Sequence, residues 1–169
     1  MHVPVVSVVA KSGTGKTTLL EKLIAELKSR GYRVGVIKHD AHRFDIDHEG
    51  KDSWRLTRAG ADTMLITSPE KIAMVRRNPA EQQPTLAEVV AAYCDNVDIV
   101  LTEGFKKSTM PKVEVHRQER SAKLLCRDEE HDPALIAVAS DSPLQIDVPL
   151  YDINDARGLC DLIVARYLS

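Results

Sequence analysis

The residue types best suited to binding phosphate lie near the start of the chain, in the segment AKSGTGKT at positions 10–17. The segment matches the phosphate-loop pattern GxxxxGK[ST] except at its first position, where an alanine replaces the glycine. Gly13 and Gly15 allow a tight turn in which successive N–H groups point at one anion, and the following helix adds its N-terminal dipole. Lys16 supplies a cation for the outer phosphates, and the Thr17 hydroxyl is suited to ligate Mg²⁺. The pattern therefore predicts a nucleotide-binding loop rather than a glycine-rich turn without a ligand.

A second candidate lies at the end of an apolar run, where Ile99–Thr102 is followed by Glu103 and then by a glycine. In P-loop proteins an acid at this place accepts hydrogen bonds from the Mg²⁺ shell or orients the attacking water. We predict this role for Glu103, with a solvated acid at a strand terminus as the alternative. Lys106 and Lys107 follow directly, and they either contact a phosphate or a partner's carboxylate or form a solvated basic pair.

The polar segment 39–50, HDAHRFDIDHEG, carries the third group of candidates. Ligands of parallel sheets bind outside the carboxyl ends of the strands, so this segment is predicted to overhang the nucleotide. Three interpretations stay open: a transition-metal site, a switch that contacts Mg²⁺ and the nucleotide, and a solvated loop. The residues concerned are His39, His42, Asp45, Asp47 and His48.

Hydrophobic patterns around these segments predict the elements that position them. Apolar runs typical of buried parallel strands occur at Val3–Ala10, Arg33–Lys38, Val97–Thr102 and Leu135–Ala139. Helices are predicted at Lys16–Arg30, Lys51–Ala59, Leu86–Tyr93 and Ala156–Leu168. An antiparallel hairpin is predicted from Thr63–Thr67 and Ile72–Arg76, and an exposed edge strand from Lys112–His116. This order predicts one domain over residues 1–169, with a P-loop NTPase-like, mostly parallel, doubly wound α/β sheet, helices on both faces and an additional hairpin.

Composition limits the function classes. Lys and Arg number 23 and Asp and Glu 25, which gives a net charge of −2, so broad binding to nucleic acid or to an anionic membrane is not expected. The three cysteines show no CxxC spacing and are predicted to be reduced thiols. No apolar run approaches the roughly 20 residues of a membrane span, and no signal-peptide pattern precedes the first strand. A cytoplasmic location is therefore predicted.

Taken together, the motifs resemble the MobB family of molybdopterin-guanine dinucleotide biosynthesis. The matching segments are SGTGKTTLL at 12–20, IKHDAHRFDID at 37–47, GKDSWRLTRAGA at 50–61, LTEGFK at 101–106, IAVASD at 136–141 and DINDARGL at 152–159. GKT alone is shared by many proteins, whereas the combination is specific. The resemblance implies a GTP-binding protein that works with the guanylyltransferase MobA in attaching GMP to molybdopterin. It also implies a homodimer with weak GTP hydrolysis of its own.

The motifs and the resemblance together define a predicted site for GTP and Mg²⁺. Lys16 and Glu103 are the predicted catalytic residues, and Thr17 and Glu103 are the predicted Mg²⁺ ligands. The predicted nucleotide-binding residues are Ser12, Gly13, Thr14, Gly15, Lys16, Thr17, Thr18, Asp45, Asp47, Glu103, Gly104, Phe105, Lys106 and Asp141. The Asp141 carboxylate, just beyond a predicted strand, can accept hydrogen bonds from guanine N1–H and its 2-amino group. The alternative role of Asp141 is to cap the turn before Pro143.

Two other functions are compatible with the sequence. A small-molecule or nucleoside kinase shares the phosphate loop and needs arginines in a closing lid. The lid candidates are Arg76, Arg77, Arg117, Arg120 and Arg127. A metallochaperone GTPase would instead use the histidines of segment 39–50. No water-orienting glutamine or arginine finger is evident near the motifs, which predicts slow hydrolysis.

Overall fold

The computed structural model describes residues 3–39, 44–79, 82–128 and 131–169. They form a larger compact unit, Met1–His39 with Val89–Ser169, and a smaller one, Asp40–Glu88. In chain order the elements are β1 Val5–Val9, α1 Lys16–Ser29, β2 Val34–Lys38, α2 Asp52–Arg58, β3 Thr63–Thr67, β4 Ile72–Arg76, α3 Leu86–Tyr93, β5 Ile99–Glu103, β6 Lys112–His116, a 3-10 turn Leu125–Arg127, β7 Leu135–Ser140, β8 Leu150–Asp152 and α4 Ala156–Tyr167. None of the described helices is long and apolar enough to cross a membrane.

The larger unit is built on a six-stranded sheet with the order β2-β5-β1-β6-β7-β8. Every adjacent pair of these strands is parallel. The carboxyl ends of the strands therefore share one edge, which is where α/β sheets bind ligands. Because β5 and β6 flank β1, the segments that follow these three strands meet at that edge. The predicted parallel α/β sheet is confirmed.

One face of the sheet is covered by α1 and α4. Each helix packs the apolar side of its surface against alternate residues of the strands. Leu23 of α1, Ile163 of α4, and the strand residues Val6 and Leu101 are all fully buried there. Complete burial of an aliphatic side chain of this size contributes about 1.5–3 kcal/mol. The opposite face includes a second apolar cluster, in which Val138 is fully buried among residues of the 3-10 turn and of the connection between β7 and β8.

The smaller unit contains α2 and the two-stranded antiparallel sheet β3-β4. The predicted hairpin is confirmed, with Thr67 paired to Ile72 at its closed end. Ser68 closes the turn, since its N–H donates to Lys71 O over 2.9 Å. The hairpin leaves large apolar side chains exposed, with Leu65 52% and Ile72 70% accessible.

The prediction that Lys112–His116 forms an exposed edge strand is wrong. This segment is β6, which lies between β1 and β7, and all five of its residues are buried. Lys112 pairs with Asp132, and the Glu114 carboxylate accepts hydrogen bonds from two backbone N–H groups of the following connection. The alternation of polar and apolar residues thus arises from buried polar groups with internal partners, not from a solvated face.

The three cysteines are buried thiols without disulfide bonds. Burial raises the pKa of Cys94 and Cys160, and it raises the pKa of Cys126 to about 12. A raised pKa suppresses the thiolate, which is the form that binds metals and attacks disulfides. The cysteines are therefore core residues.

Candidate nucleotide-binding site

The segment between β1 and α1 has the backbone that the phosphate-loop pattern predicts. Gly13 has φ 75° and Gly15 has φ 95°, values that favour glycine. Between them Thr14 is buried, and its Oγ1 donates to Lys11 O over 2.9 Å. Ala10, at the first motif position, is fully buried and does not have a positive φ. The alanine that departs from the motif is therefore accommodated without backbone strain.

The first turn of α1 leaves its backbone donors available. The helix begins at Lys16, no side chain caps its N-terminus, and no acidic residue lies in its first turn. Unpaired N–H groups and the positive end of the helix dipole together favour an anion at this position. Ser12 in the loop and Thr18 in the first turn are both exposed at the same end of the helix.

Thr17 and Glu103 lie side by side on the β5 flank of the loop. Thr17 Oγ1 donates to Glu103 Oε2 over 3.2 Å. Glu103 ends β5 in register with Val8 of β1 and Lys38 of β2, and its side chain is only 17% exposed. Hydroxyl and carboxylate oxygens are hard ligands of the type that Mg²⁺ prefers, so this pair fits a Mg²⁺ ion.

Lys16 shares its surroundings with two other lysines, Lys38 and Lys106, and with the single carboxylate of Glu103. Lys38 Nζ lies 3.9 Å from Glu103 Oε1. Burial lowers the pKa of Lys16, and repulsion from Lys106 and Lys38 lowers this pKa further. Attraction to the Glu103 carboxylate acts in the opposite direction and raises it. This local excess of positive charge is offset when a polyphosphate binds.

The backbone directly after Glu103 is unusual. Gly104 has φ 99°, and Phe105 has φ 57°, the one positive value at a non-glycine residue among those described. A Cβ atom at Gly104 would lie 3.3 Å from His39 Cβ, and the His39 ring meets the Phe105 ring edge-on at 4.9 Å. Backbone strain of this kind persists where the surroundings hold it, and it often occurs beside functional residues.

The β6 flank of the loop carries two arginines that the motifs did not assign to the nucleotide site. Arg117 Nε donates to Thr14 O over 3.0 Å. The guanidinium of Arg120 is near Gly13: its carbon lies 3.8 Å from the point where a Cβ atom would lie if Gly13 were replaced by a larger residue. Both arginines follow β6, whose pairing with β1 is a long-range contact without a sequence pattern of its own. The only available signal was two arginines shortly after an alternating strand.

Two of the other lid candidates in the kinase hypothesis, Arg127 and Arg77, are held by contacts elsewhere. Arg127 Nε donates to Asp147 Oδ1 over 2.9 Å, and its Nη1 donates to the carbonyl oxygens of Cys126 and Asp132. Arg77, in the smaller unit, donates to a backbone carbonyl of α2 over 3.0 Å. Arginines fixed in this way do not resemble a mobile lid.

Asp141, just beyond β7, reaches toward the segment after β6. Its Oδ1 accepts a hydrogen bond from Gln118 N–H over 3.1 Å, and its Oδ2 lies 3.6 Å from Arg117 Nη1. In the turn before Pro143, the Ser142 N–H donates to Ser140 Oγ instead. The described bonds of Asp141 therefore connect the ends of β6 and β7 and do not cap the Pro143 turn.

The carboxylates of segment 39–50 belong to the smaller unit. Asp45 Oδ1 accepts from Asp47 N–H over 3.3 Å, and Asp47 Oδ1 accepts from His48 N–H over 2.9 Å. His42 lies outside the described residues. Among the residues that are described, no group of three or more His, Cys, Asp or Glu side chains is arranged to hold a metal ion.

Comparison with known families identifies the chain. The family model described as "MobB: Molybdopterin guanine dinucleotide synthesis protein B" matches residues 5–141. The chain belongs to the MobB family. This match confirms the resemblance that the combined motifs indicated, and it includes the phosphate loop, Glu103 and Asp141.

Two curated relatives extend the similarity over nearly the whole chain. The molybdopterin-guanine dinucleotide biosynthesis adapter protein of Haemophilus influenzae is 42% identical over 164 residues, which is 96% of this chain and 88% of the relative. The protein of the same name from Escherichia coli K12 is 42% identical over 167 residues, 96% of this chain and 92% of that protein. The similarity to these MobB-family proteins is therefore not confined to the phosphate loop.

Solved MobB structures share the fold. A crystal structure of molybdopterin-guanine biosynthesis protein B has a TM-score of 0.76 at 27% identity, covering 98% of this chain and 99% of that one. The MobB homologue from Bacillus stearothermophilus has a TM-score of 0.71 at 27% identity, covering 97% of each chain. The fold class predicted from the sequence is thereby confirmed at the level of the family.

Proposed function

We propose that this protein is a GTP-binding adapter that works with the guanylyltransferase MobA when GMP is attached to molybdopterin. Membership of the MobB family supports the biosynthetic role. The observation that carries the nucleotide part is the uncapped start of α1 beside the hydrogen-bonded pair of Thr17 and Glu103. This combination provides donors for phosphate and hard oxygen ligands for Mg²⁺ at one end of one helix.

In this proposal the chain's own groups hold the triphosphate. The N–H groups of the loop and of the first turn of α1 bind its oxygens, and the Lys16 ammonium lies against the outer phosphates. Mg²⁺, when bound, neutralises developing charge on the β- and γ-phosphates, and Thr17 and Glu103 would hold it. Glu103 also remains the candidate for orienting water. No glutamine is placed to assist it by any described contact, so hydrolysis is slow.

Asp141 is the proposed reader of the guanine base. Gln118 N–H occupies one lone pair of Oδ1, and Arg117 lies beyond hydrogen-bond distance of Oδ2 at 3.6 Å. The carboxylate therefore keeps acceptor capacity for guanine N1–H and the 2-amino group. Adenine lacks both donors on that edge, so it would leave the acid unpaired.

We also propose a cytoplasmic homodimer that uses the hairpin β3-β4. Two-stranded sheets are marginal alone, and this one exposes Leu65, Ile66 and Ile72 at 52%, 49% and 70%. Exposed apolar side chains on unpaired strand edges are commonly covered by another chain. β6 lies inside the six-stranded sheet, so it offers no free edge to this interface.

The adapter proposal is tested by capture of the protein on immobilised MobA from the same organism. The capture is repeated with GTP and Mg²⁺, with GDP, and without nucleotide. We expect the parent protein to form a complex whose amount depends on the nucleotide. In Lys16→Ala we expect the amount of complex not to depend on the nucleotide. Absence of a complex under all three conditions would contradict the adapter role. Calorimetric titration of the parent protein with GTP and ATP tests the nucleotide assignment separately.

A further inference from the structure

The two flanks of the phosphate loop differ in chemistry. The β5 flank carries Thr17, Glu103 and Lys38, the groups suited to Mg²⁺ and to the terminal phosphates. A nucleotide bound with its terminal phosphates there must extend its sugar and base away from that flank. The β6 and β7 flank, which carries Arg117 and Asp141, is the side left for the base.

The guanidinium of Arg117 is held by one hydrogen bond and one ion pair, and it lies close to the phosphate loop. Its Nε donates to Thr14 O over 3.0 Å, and its Nη1 lies 3.6 Å from Asp141 Oδ2. Its Nη2 is near Gly15, 3.7 Å from the point where a Cβ atom would lie if Gly15 were replaced by a larger residue. Even so, 36% of the side chain is exposed. The group is therefore fixed in orientation but still accessible to a ligand.

The segment that carries Arg117 is itself anchored. Lys11 Nζ, in the phosphate loop, donates to Ser121 Oγ over 2.6 Å. The buried His116 ring nitrogen Nε2 bonds to Ser121 O over 2.9 Å, and its Nδ1 bonds to Ser140 Oγ at the end of β7. A group on an anchored segment can be preorganised for binding, because little entropy is lost when the ligand arrives.

We propose that Arg117 forms the stacking surface for the purine base of the bound nucleotide. A planar guanidinium stacks on an aromatic ring, which the compact ammonium of lysine does not reproduce. Its contacts with Thr14 and Asp141 also fix the spacing between the phosphate loop and the carboxylate that reads the base. Arg117 is thus a specificity and positioning residue. This inference rests on the proposed nucleotide-binding function.

The variants Arg117→Lys and Arg127→Lys separate stacking from general loss of an arginine. Arg127 is the matched control because its guanidinium, like that of Arg117, pairs with a carboxylate and donates to backbone carbonyl oxygen, but its partners are Asp147, Cys126 and Asp132 rather than residues of the phosphate loop. Each protein is titrated calorimetrically with GTP and with inorganic tripolyphosphate in the presence of Mg²⁺. Thermal unfolding without ligand verifies that each variant is folded.

We expect Arg117→Lys to bind GTP about tenfold more weakly than the parent protein, since the lysine ammonium does not reproduce the stacking of a planar guanidinium on the base. Its tripolyphosphate affinity should stay within about twofold, and Arg127→Lys should match the parent for both ligands. Unchanged GTP affinity in Arg117→Lys would overturn the proposal. An equal loss for tripolyphosphate would also overturn it, because Arg117 would then act on the phosphate loop alone. A parent protein that binds tripolyphosphate but shows no preference for GTP contradicts the nucleotide function itself.

Discussion

Thr17 and Glu103 are 86 residues apart in sequence, yet Thr17 Oγ1 donates to Glu103 Oε2 over 3.2 Å. The contact arises because β5 pairs directly with β1, so the residue that ends β5 lies beside the start of α1. Neither residue alone distinguishes a metal site from a polar side chain that only contacts solvent. Their contact brings a hydroxyl and a carboxylate together at the point where the outer phosphates of a nucleotide would lie.

The first prediction concerns Mg²⁺. Thr17→Ala and Glu103→Ala should each reduce the increase in GTP affinity that Mg²⁺ produces, and should slow hydrolysis more than they weaken binding of GDP. The physical reason is that each change removes one hard oxygen ligand and leaves the phosphate donors intact. Titrations with GTP in Mg²⁺ and in EDTA measure the effect. An equal response to Mg²⁺ in the parent and in both variants would eliminate this metal assignment.

The second prediction concerns Lys16. Lys16→Ala should weaken nucleotide binding by roughly 2–4 kcal/mol, because it removes a charge-assisted contact to the phosphates from a partly buried position. The fold should persist, since removing this lysine also relieves its repulsion with Lys106 and Lys38. Thermal unfolding with and without GTP and Mg²⁺ gives the measurement, because ligand stabilisation follows mass action. Stabilisation of the variant equal to that of the parent would exclude Lys16 from the site.

The third prediction concerns the buried pair of Lys112 and Asp132. Lys112→Met should lower the free energy of unfolding by about 2–3 kcal/mol, because it leaves a carboxylate that is only 24% exposed without its cation. The double variant Lys112→Met/Asp132→Asn should recover part of that loss, since no unpaired charge then remains. Urea unfolding of both variants and of Asp132→Asn completes the cycle.

Lys123→Met provides the control for that cycle. Lys123 pairs with Asp128, but its side chain is 71% exposed, so the change should cost less than about 1 kcal/mol. If Lys112→Met were as stable as Lys123→Met, the buried pair would have no special role in holding the connection after β6 on the sheet.

The buried pair of Lys112 and Asp132 shows why part of the fold was not predicted from the sequence. The phosphate loop is a local pattern between a strand and a helix, and so the sequence alone was enough to predict the tight turn at Gly13 and Gly15 between β1 and α1. The alternation at Lys112–His116 does not show whether its polar side chains face solvent or the interior. That depended on Asp132, the partner of Lys112, which lies 20 residues further along in a connection without recognisable motifs. Arg117 was considered only as a lid arginine of a kinase, because its contact with Thr14 depends on the pairing of β6 with β1.

The fourth prediction concerns assembly. Ile72→Glu should shift the protein from dimer to monomer, because a charge would replace an apolar side chain that is 70% exposed on the hairpin. Lys71→Glu, which alters charge in the adjacent turn without changing apolar surface, should leave the dimer intact. Sedimentation equilibrium distinguishes these outcomes. A parent protein that behaves as a single species of monomer mass throughout the micromolar range would contradict the proposed homodimer.

The last prediction concerns the base. Asp141→Asn should weaken GTP binding by roughly 1–3 kcal/mol, because the amide keeps one acceptor but turns its NH₂ donors toward the donors of guanine. The affinity for xanthosine triphosphate should rise, since xanthine has a carbonyl where guanine has its amino group, and the amide can donate to it. Gln118 N–H can still donate to the amide oxygen, so the connection between β6 and β7 should survive. Competition titrations of parent and variant with GTP, ATP and XTP measure these preferences. A parent protein that binds ATP as tightly as GTP, or a variant with unchanged preference, would remove Asp141 from the base site.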